Sequence, residues 1–139
     1  MLSRILVAVD GSESAKKAFA KSIYLSQKCN SKLFVVHVVL DAAYGGDSAT
    51  TFELIDQLRA KGMEILEQCK KEAIRNNLQI ELLLEQGDYA QVIIEVAKRE
   101  SCDLVIMGSR GMSTFKELLL GSVSLKVMHH ASCPVMVVR

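Results

Sequence analysis

The sequence has no long apolar run, no large excess of either charge, no closely spaced cysteines and a single proline. Each shortage excludes a class of function. The apolar stretches, such as Leu33–Val36 and Leu82–Leu84, fall far short of the roughly 18 residues a membrane-spanning helix needs. Met1–Val9 runs straight into Asp10 without a small-residue cleavage site. It does not read as a signal peptide, and a cytoplasmic location is expected. The 17 basic and 16 acidic residues leave a net charge of +1. Proteins that hold nucleic acid by wide electrostatics carry a basic excess, so neither nucleic acid nor membrane is expected as a partner. Cys29, Cys69, Cys102 and Cys133 stand 30 or more residues apart. That spacing excludes C-x-x-C zinc or thioredoxin-like chemistry and leaves the thiols as small buried hydrophobes.

The chain has 139 residues, 50% of them hydrophobic and 24% charged. That is a globular composition and one domain's length, so residues 1–139 are expected to form a single domain around one core. β-Branched apolar runs at Ile5–Asp10, Leu33–Leu40, Ile80–Leu84, Leu104–Met107 and Val135–Val138 predict five strands. Helical spacing of Ala15, Ala18, Phe19, Ser22, Leu25 and Cys29 predicts a first helix, with Ser12 or Ser14 as its cap. Phe52 to Ala73 predicts a second, capped by Thr50 or Thr51, and Asp41–Thr50 reads as a mobile loop. Asp88 begins a third helix, with Gln91 completing a capping-box pattern. Gly121-Ser122 opens the fourth, which ends near His130. Ser109–Leu120 reads as a loop with room for a short helical turn. Strands alternate with helices and are continuously apolar, the pattern of a doubly wound parallel α/β sheet buried on both faces.

In such a sheet, ligands bind at the carboxyl ends of the strands. Three ends stand out: Asp10-Gly11-Ser12, Val38 to Leu40, and Gly108-Ser109-Arg110-Gly111. The third is followed, nine residues later, by Gly121-Ser122 at a helix start. Gly108 and Gly111 can take positive φ and let the backbone approach a ligand. A helix N-terminus favours an anion, and Arg110 brings a donor fork suited to phosphate. Strand-end glycines also serve as plain turns, so the residues alone leave a phosphate cradle and a structural turn both open. The Walker G-x-x-x-x-G-K-[ST], the Rossmann G-x-G-x-x-G and the G-x-S-x-G elbow are all absent, which excludes the functions they mark.

The pattern G-x-x-G, nine residues, G-[ST] resembles the nucleotide-binding motif of the universal stress protein family. The opening Ile5-Leu-Val-Ala-Val-Asp10-Gly-Ser, Lys32–Val38, and the ending from Gly121 to Arg139 are similar to that family's first strand, second strand and C-terminal signature. The resemblance covers the whole chain and places it with the ATP-binding branch. It implies a Rossmann-like, adenine nucleotide alpha hydrolase-like sheet of order 3-2-1-4-5. It further implies that ATP, or ADP or AMP, binds with Mg²⁺ at the phosphates. Asp10 would take the ribose hydroxyls, and the backbone of Val38 and Ala8 would read the adenine edge. Met107, Gly108, Ser109, Arg110 and Gly111 would wrap ribose and phosphates, and Gly121, Ser122 and Val123 would donate to the phosphates. The implied output is a nucleotide-dependent change of conformation or partner. The implied strand order puts Val135–Val138 at an edge, where it would pair with a second copy.

His37 reads as a core or sheet-end histidine. His129-His130 sits where a helix C-terminus favours a cation. No metal site or catalytic residue is expected. Two other functions compete: a slow ATPase or other ATP-using enzyme of related fold, and a structural dimer that binds no nucleotide. Asp10-Gly-Ser-Glu-Ser14 is a loose echo of the loop in the ATP pyrophosphatases. The enzyme reading lacks a Walker-B acid and a histidine–carboxylate or histidine–serine pair near the cradle. The structural reading leaves the intact glycine motif without a purpose.

Overall fold

The computed structural model describes residues 1–41, 49–110 and 121–139. Five strands alternate with four helices: β1 (Arg4–Ala8), α1 (Glu13–Cys29), β2 (Lys32–Val39), α2 (Ala49–Arg75), β3 (Ile80–Gln86), α3 (Tyr89–Arg99), β4 (Leu104–Gly108), α4 (Ser122–His130) and β5 (Val135–Val138). All strand pairs are parallel, and the order is β3-β2-β1-β4-β5. This is the doubly wound fold expected from the alternation. No described helix is long and apolar enough to cross a membrane.

Side chains alternate between the two faces of a strand, and the core divides accordingly. Ile5, Val7, Leu33, Val35 and Ile106 point to the face covered by α1 and α2, where they meet Phe19, Ile23, Leu66 and Cys69. Leu6, Phe34, Val36, Val38, Val105 and Met107 point to the other face, where they meet Ile93, Val96 and Val127 of α3 and α4. The chain moves outward from β1 to β3 and then crosses to β4, so the winding reverses between β1 and β4. That is the switch point at which open α/β sheets form a crevice.

Burial on both faces holds for β1, β2 and β4. The edge strands β3 and β5 are only half-buried, because each has a neighbour on one side alone. β1 ends at Ala8, two residues before the expected boundary, although the Val9 amide still donates to the Val36 carbonyl at 2.9 Å. Ser12 caps α1 through its side chain, at 3.2 Å from the Ala15 amide. Asp88 caps α3 in the same way, at 3.0 Å from the Gln91 amide. The expected capping box is only half made: Gln91 Nε2 donates to Glu95 Oε1 instead of reaching back. Helix α2 begins at Ala49, so Thr50 and Thr51 lie inside its first turn and do not precede it as caps. The glycine loop before α2 is outside the described residues, as is the segment from Gly111 to Leu120 with its expected helical turn. Of the cysteines, Cys69 and Cys102 are buried and Cys133 half-buried, but Cys29 is exposed, at the end of α1.

Candidate site at the carboxyl edge of the sheet

Asp10 follows β1 and turns the chain. Its Oδ1 accepts from the Ser12 amide at 2.9 Å, an Asx turn. Gly11 takes φ +85°, a conformation that costs glycine little. The turn delivers Ser12 to its capping position. It leaves Asp10 with Oδ2 for a hydroxyl donor.

Gly108 ends β4 directly under the start of α1. A methyl group there would collide with Ser14 Oγ and stand 2.8 Å from the Ala15 amide nitrogen. Positive φ was the expected use of this glycine, but its φ is not positive. What it provides is room for α1. The next two residues are clasped from three sides. The Ser109 amide donates to the Val138 carbonyl at 2.7 Å, and the Ser109 carbonyl accepts from the Gly121 amide at 2.6 Å. Ser124 Oγ lies 3.2 Å from the same Ser109 carbonyl. The Arg110 carbonyl accepts from Ser14 Oγ at 2.7 Å, with Ser12 Oγ at 3.4 Å. The two halves of the glycine motif are therefore in direct contact, and the N-termini of α1 and α4 converge on Ser109-Arg110.

The start of α4 differs from those of α1 and α3. Its cap, Gly121, offers no side-chain hydrogen bond. The Gly121 amide is already engaged, but the following first-turn amides have no intrahelical acceptors. Ser122 is exposed and Val123 half-buried. Arg110 is half-buried, and among the described residues its guanidinium forms no ion pair. Ala8, Val38, Met107 and Val123 all belong to the α3/α4 face, with Val38 and Met107 buried, so these last two reach a ligand only through backbone atoms. The structure thus brings together Ala8, Asp10, Val38, Met107 to Arg110, and Gly121 to Val123 along one edge. Gly111 lies outside the described residues.

Sequence reasoning treated Ser12 and Ser14 as rival caps and passed over Ser124. The structure gives Ser14 and Ser124 a different task, as the hydroxyls that pin the glycine segment. The visible signal was serine at alternate positions, Ser12-Glu13-Ser14 and Ser122-Val123-Ser124, each at a helix start just after a glycine. His37 makes none of the clasp's hydrogen bonds. It faces α2, with Nδ1 2.8 Å from the Val9 carbonyl. His129 and His130 sit at the far end of α4. Among the described residues no group of three or more His, Cys, Asp or Glu could hold a metal ion. A separate groove of about 420 Å³ runs between α3 and α4, lined by Ala90, Ile94 and Lys98 on one side and Lys126 and His130 on the other.

The universal stress protein family model matches residues 1–139. The chain is 34% identical to universal stress protein YxiE of Bacillus subtilis, with all of both chains covered. Its fold is similar to that of universal stress protein UspA from Lactobacillus plantarum, with a TM-score of 0.91 at 26% identity over 99% of this chain and 98% of that one. It is also similar to a universal stress protein family protein from Arabidopsis thaliana with AMP bound, with a TM-score of 0.73 at 27% identity over 98% of this chain and 90% of the other. The whole-length family match, the strand order and the joined glycine segments agree: the chain belongs to the universal stress protein family.

Proposed function

We propose that this chain binds an adenine nucleotide at the carboxyl edge of its sheet and acts as a nucleotide-dependent regulatory switch. The observation that carries this reading is the uncapped start of α4, packed against Ser109-Arg110 at the switch point between β1 and β4. The first-turn amides of Ser122 and Val123, without an acceptor among the described residues, suit phosphate oxygens. The Arg110 side chain adds charge. Asp10 Oδ2 suits a ribose hydroxyl, and backbone groups at Ala8 and Val38 suit the adenine edge. The AMP-bound Arabidopsis relative supports adenine as the base. Mg²⁺ would be held chiefly by the phosphates, as this cation usually is. The switch would operate as a homodimer joined through β5.

The test is calorimetry with ATP, AMP and GTP, together with identification of any nucleotide released when the purified protein is denatured. ATP or AMP should bind and GTP should not. Equal affinity for ATP and GTP would remove the adenine assignment. Gly121→Leu should abolish binding, because its side chain would fill the space in front of the first-turn amides. No histidine is placed at the clasp to activate water, so single-turnover hydrolysis should run far below the roughly 1 s⁻¹ at the low end of ordinary enzymes. A rate at or above that would replace the switch with an ATPase.

A further inference from the structure

The long helix α2 carries an apolar row that its own chain does not bury. Phe52, Met63 and Ile74 are 52%, 56% and 61% exposed and stand 11 residues apart. Eleven residues is close to three helical turns, so the three side chains form one line along the helix. The buried side of α2, with Ile55, Leu66, Cys69 and Ala73, lies about a quarter turn away. Arg59, on the same line as the row, donates to Gln86 Oε1 of β3 at 3.1 Å. Ile65, on the other flank, lies beside Gly11 near α1. The row therefore occupies the flank of α2 next to the β3 edge of the sheet.

Charges fill the gaps in a definite order. Asp56 and Arg59 lie between Phe52 and Met63, and Glu67 and Lys70 lie between Met63 and Ile74. All four are exposed. Among the described residues Asp56, Glu67 and Lys70 have no ion-pair partner. Turned end for end about Met63, the row matches its own complement. Phe52 falls opposite Ile74, Asp56 opposite Lys70, Arg59 opposite Glu67, and Met63 opposite itself. A parallel alignment would instead set Asp56 against Asp56 and Lys70 against Lys70.

We propose that this flank of α2 is a self-association surface, and that its occupant is α2 of a second copy running antiparallel across a two-fold axis at Met63. Such an interface is isologous, with each residue contacting its complement twice. The apolar pairs supply contact, and methionine on the axis adapts to its own image. The four cross-pairs of opposite charge fix direction and register, the role that charge complementarity plays best at interfaces. The surface lies at the opposite edge of the sheet from β5 and does not depend on nucleotide binding.

Cross-linking and charge reversal test the geometry. In a Cys29→Ser background, which removes the exposed native thiol, Met63→Cys should form a disulfide-linked dimer on mild oxidation, and Gln57→Cys, on another face of α2, should not. In a Val137→Lys background, which isolates this contact from any pairing through β5, sedimentation should show self-association that Asp56→Lys or Lys70→Asp each weakens by about tenfold. Asp56→Lys combined with Lys70→Asp in one chain should restore it. Equal cross-linking at positions 63 and 57, or no recovery in the double variant, would overturn the proposal. Cys29, Asp56, Gln57, Met63 and Lys70 are all exposed, so thermal melts unchanged from each background will show that the fold is intact.

Discussion

Gly108 and Gly121 sit within one clasp, but they are glycine for different reasons. At Gly108 a methyl group would meet the backbone of α1 at 2.8 Å, and neither element can withdraw without opening the sheet edge. Gly108→Ala should therefore cost about 2 kcal/mol, an overpacking penalty, read as a lower urea midpoint at unchanged slope. At Gly121 the nearest atom to such a methyl is the Ser109 carbonyl oxygen at 3.3 Å. Gly121→Ala should cost under about 1 kcal/mol while weakening nucleotide binding. If the two substitutions destabilise equally, this division is wrong. The buried thiols make a second prediction at this scale. Burial pushes Cys69 from 9.0 up to about 12 and Cys102 up to about 11. Unfolded, both would ionise near the ordinary value, so above pH 9 the folded chain holds more protons. The stability they contribute is full below that pH and is lost as pH rises through the folded values. Urea midpoints should hold steady to about pH 8.5 and then fall. The fall should be shallower in Cys69→Ala, although that variant starts from a lower midpoint because of its cavity.

Among the elements, α2 is the one whose local chemistry conflicts with its packing. A glycine inside a helix is ordinarily worse than alanine by about 1 kcal/mol, so Gly62→Ala would be expected to stabilise. Here the added methyl would stand 2.5 Å from His37 Cδ2 and 3.1 Å from Leu84 Cδ1. Gly62→Ala should destabilise instead, and in a His37→Ala background the same change should become neutral or favourable. Thermal melts of the four proteins in that cycle decide the matter. Additive effects would mean that His37 is not what makes Gly62 necessary. This coupling also marks a limit of sequence reading. Hydrophobic periodicity showed α1 and α3, because one buried face per helix leaves its period in the residues, and the strands showed as continuous apolar runs because the sheet is covered on both faces. Ser12 and Asp88 were legible as caps because capping is a contact within one turn. The start of α2 was misplaced because threonine is acceptable both as a cap and inside a first turn. At the site, the glycine spacing was legible as a motif. The reason for Gly108 was not, because the atom that forbids a side chain there belongs to Ser14, 94 residues earlier in the chain. Contacts of that kind leave no periodic trace.

At the scale of the whole molecule, the sheet of the described residues ends at two edge strands, β3 and β5. At β5, Pro134 precedes a short apolar strand with no charge before Arg139, and Leu125 and Met128 stand exposed on the neighbouring α4. An apolar edge strand of this kind favours pairing, and closed two-fold symmetry is its commonest form. With the α2 contact weakened by Asp56→Lys, the chain should sediment as a dimer at micromolar concentration, and adding Val137→Lys should shift it toward monomer. In that background, a monomer before the lysine is added, or a dimer unmoved by it, would contradict pairing through this strand. The hydrogen bond from the Ser109 amide to the Val138 carbonyl has a consequence here. It ties the last residue of the pairing edge to the segment that touches the start of α4. Ligand and second subunit would then pull on the same peptide group from opposite ends. If nucleotide tightens the dimer by some factor, thermodynamic reciprocity requires the dimer to tighten nucleotide by the same factor. The affinity measured for a nucleotide would then rise with protein concentration, and a titration run at two dilutions would reveal the coupling without any mutation.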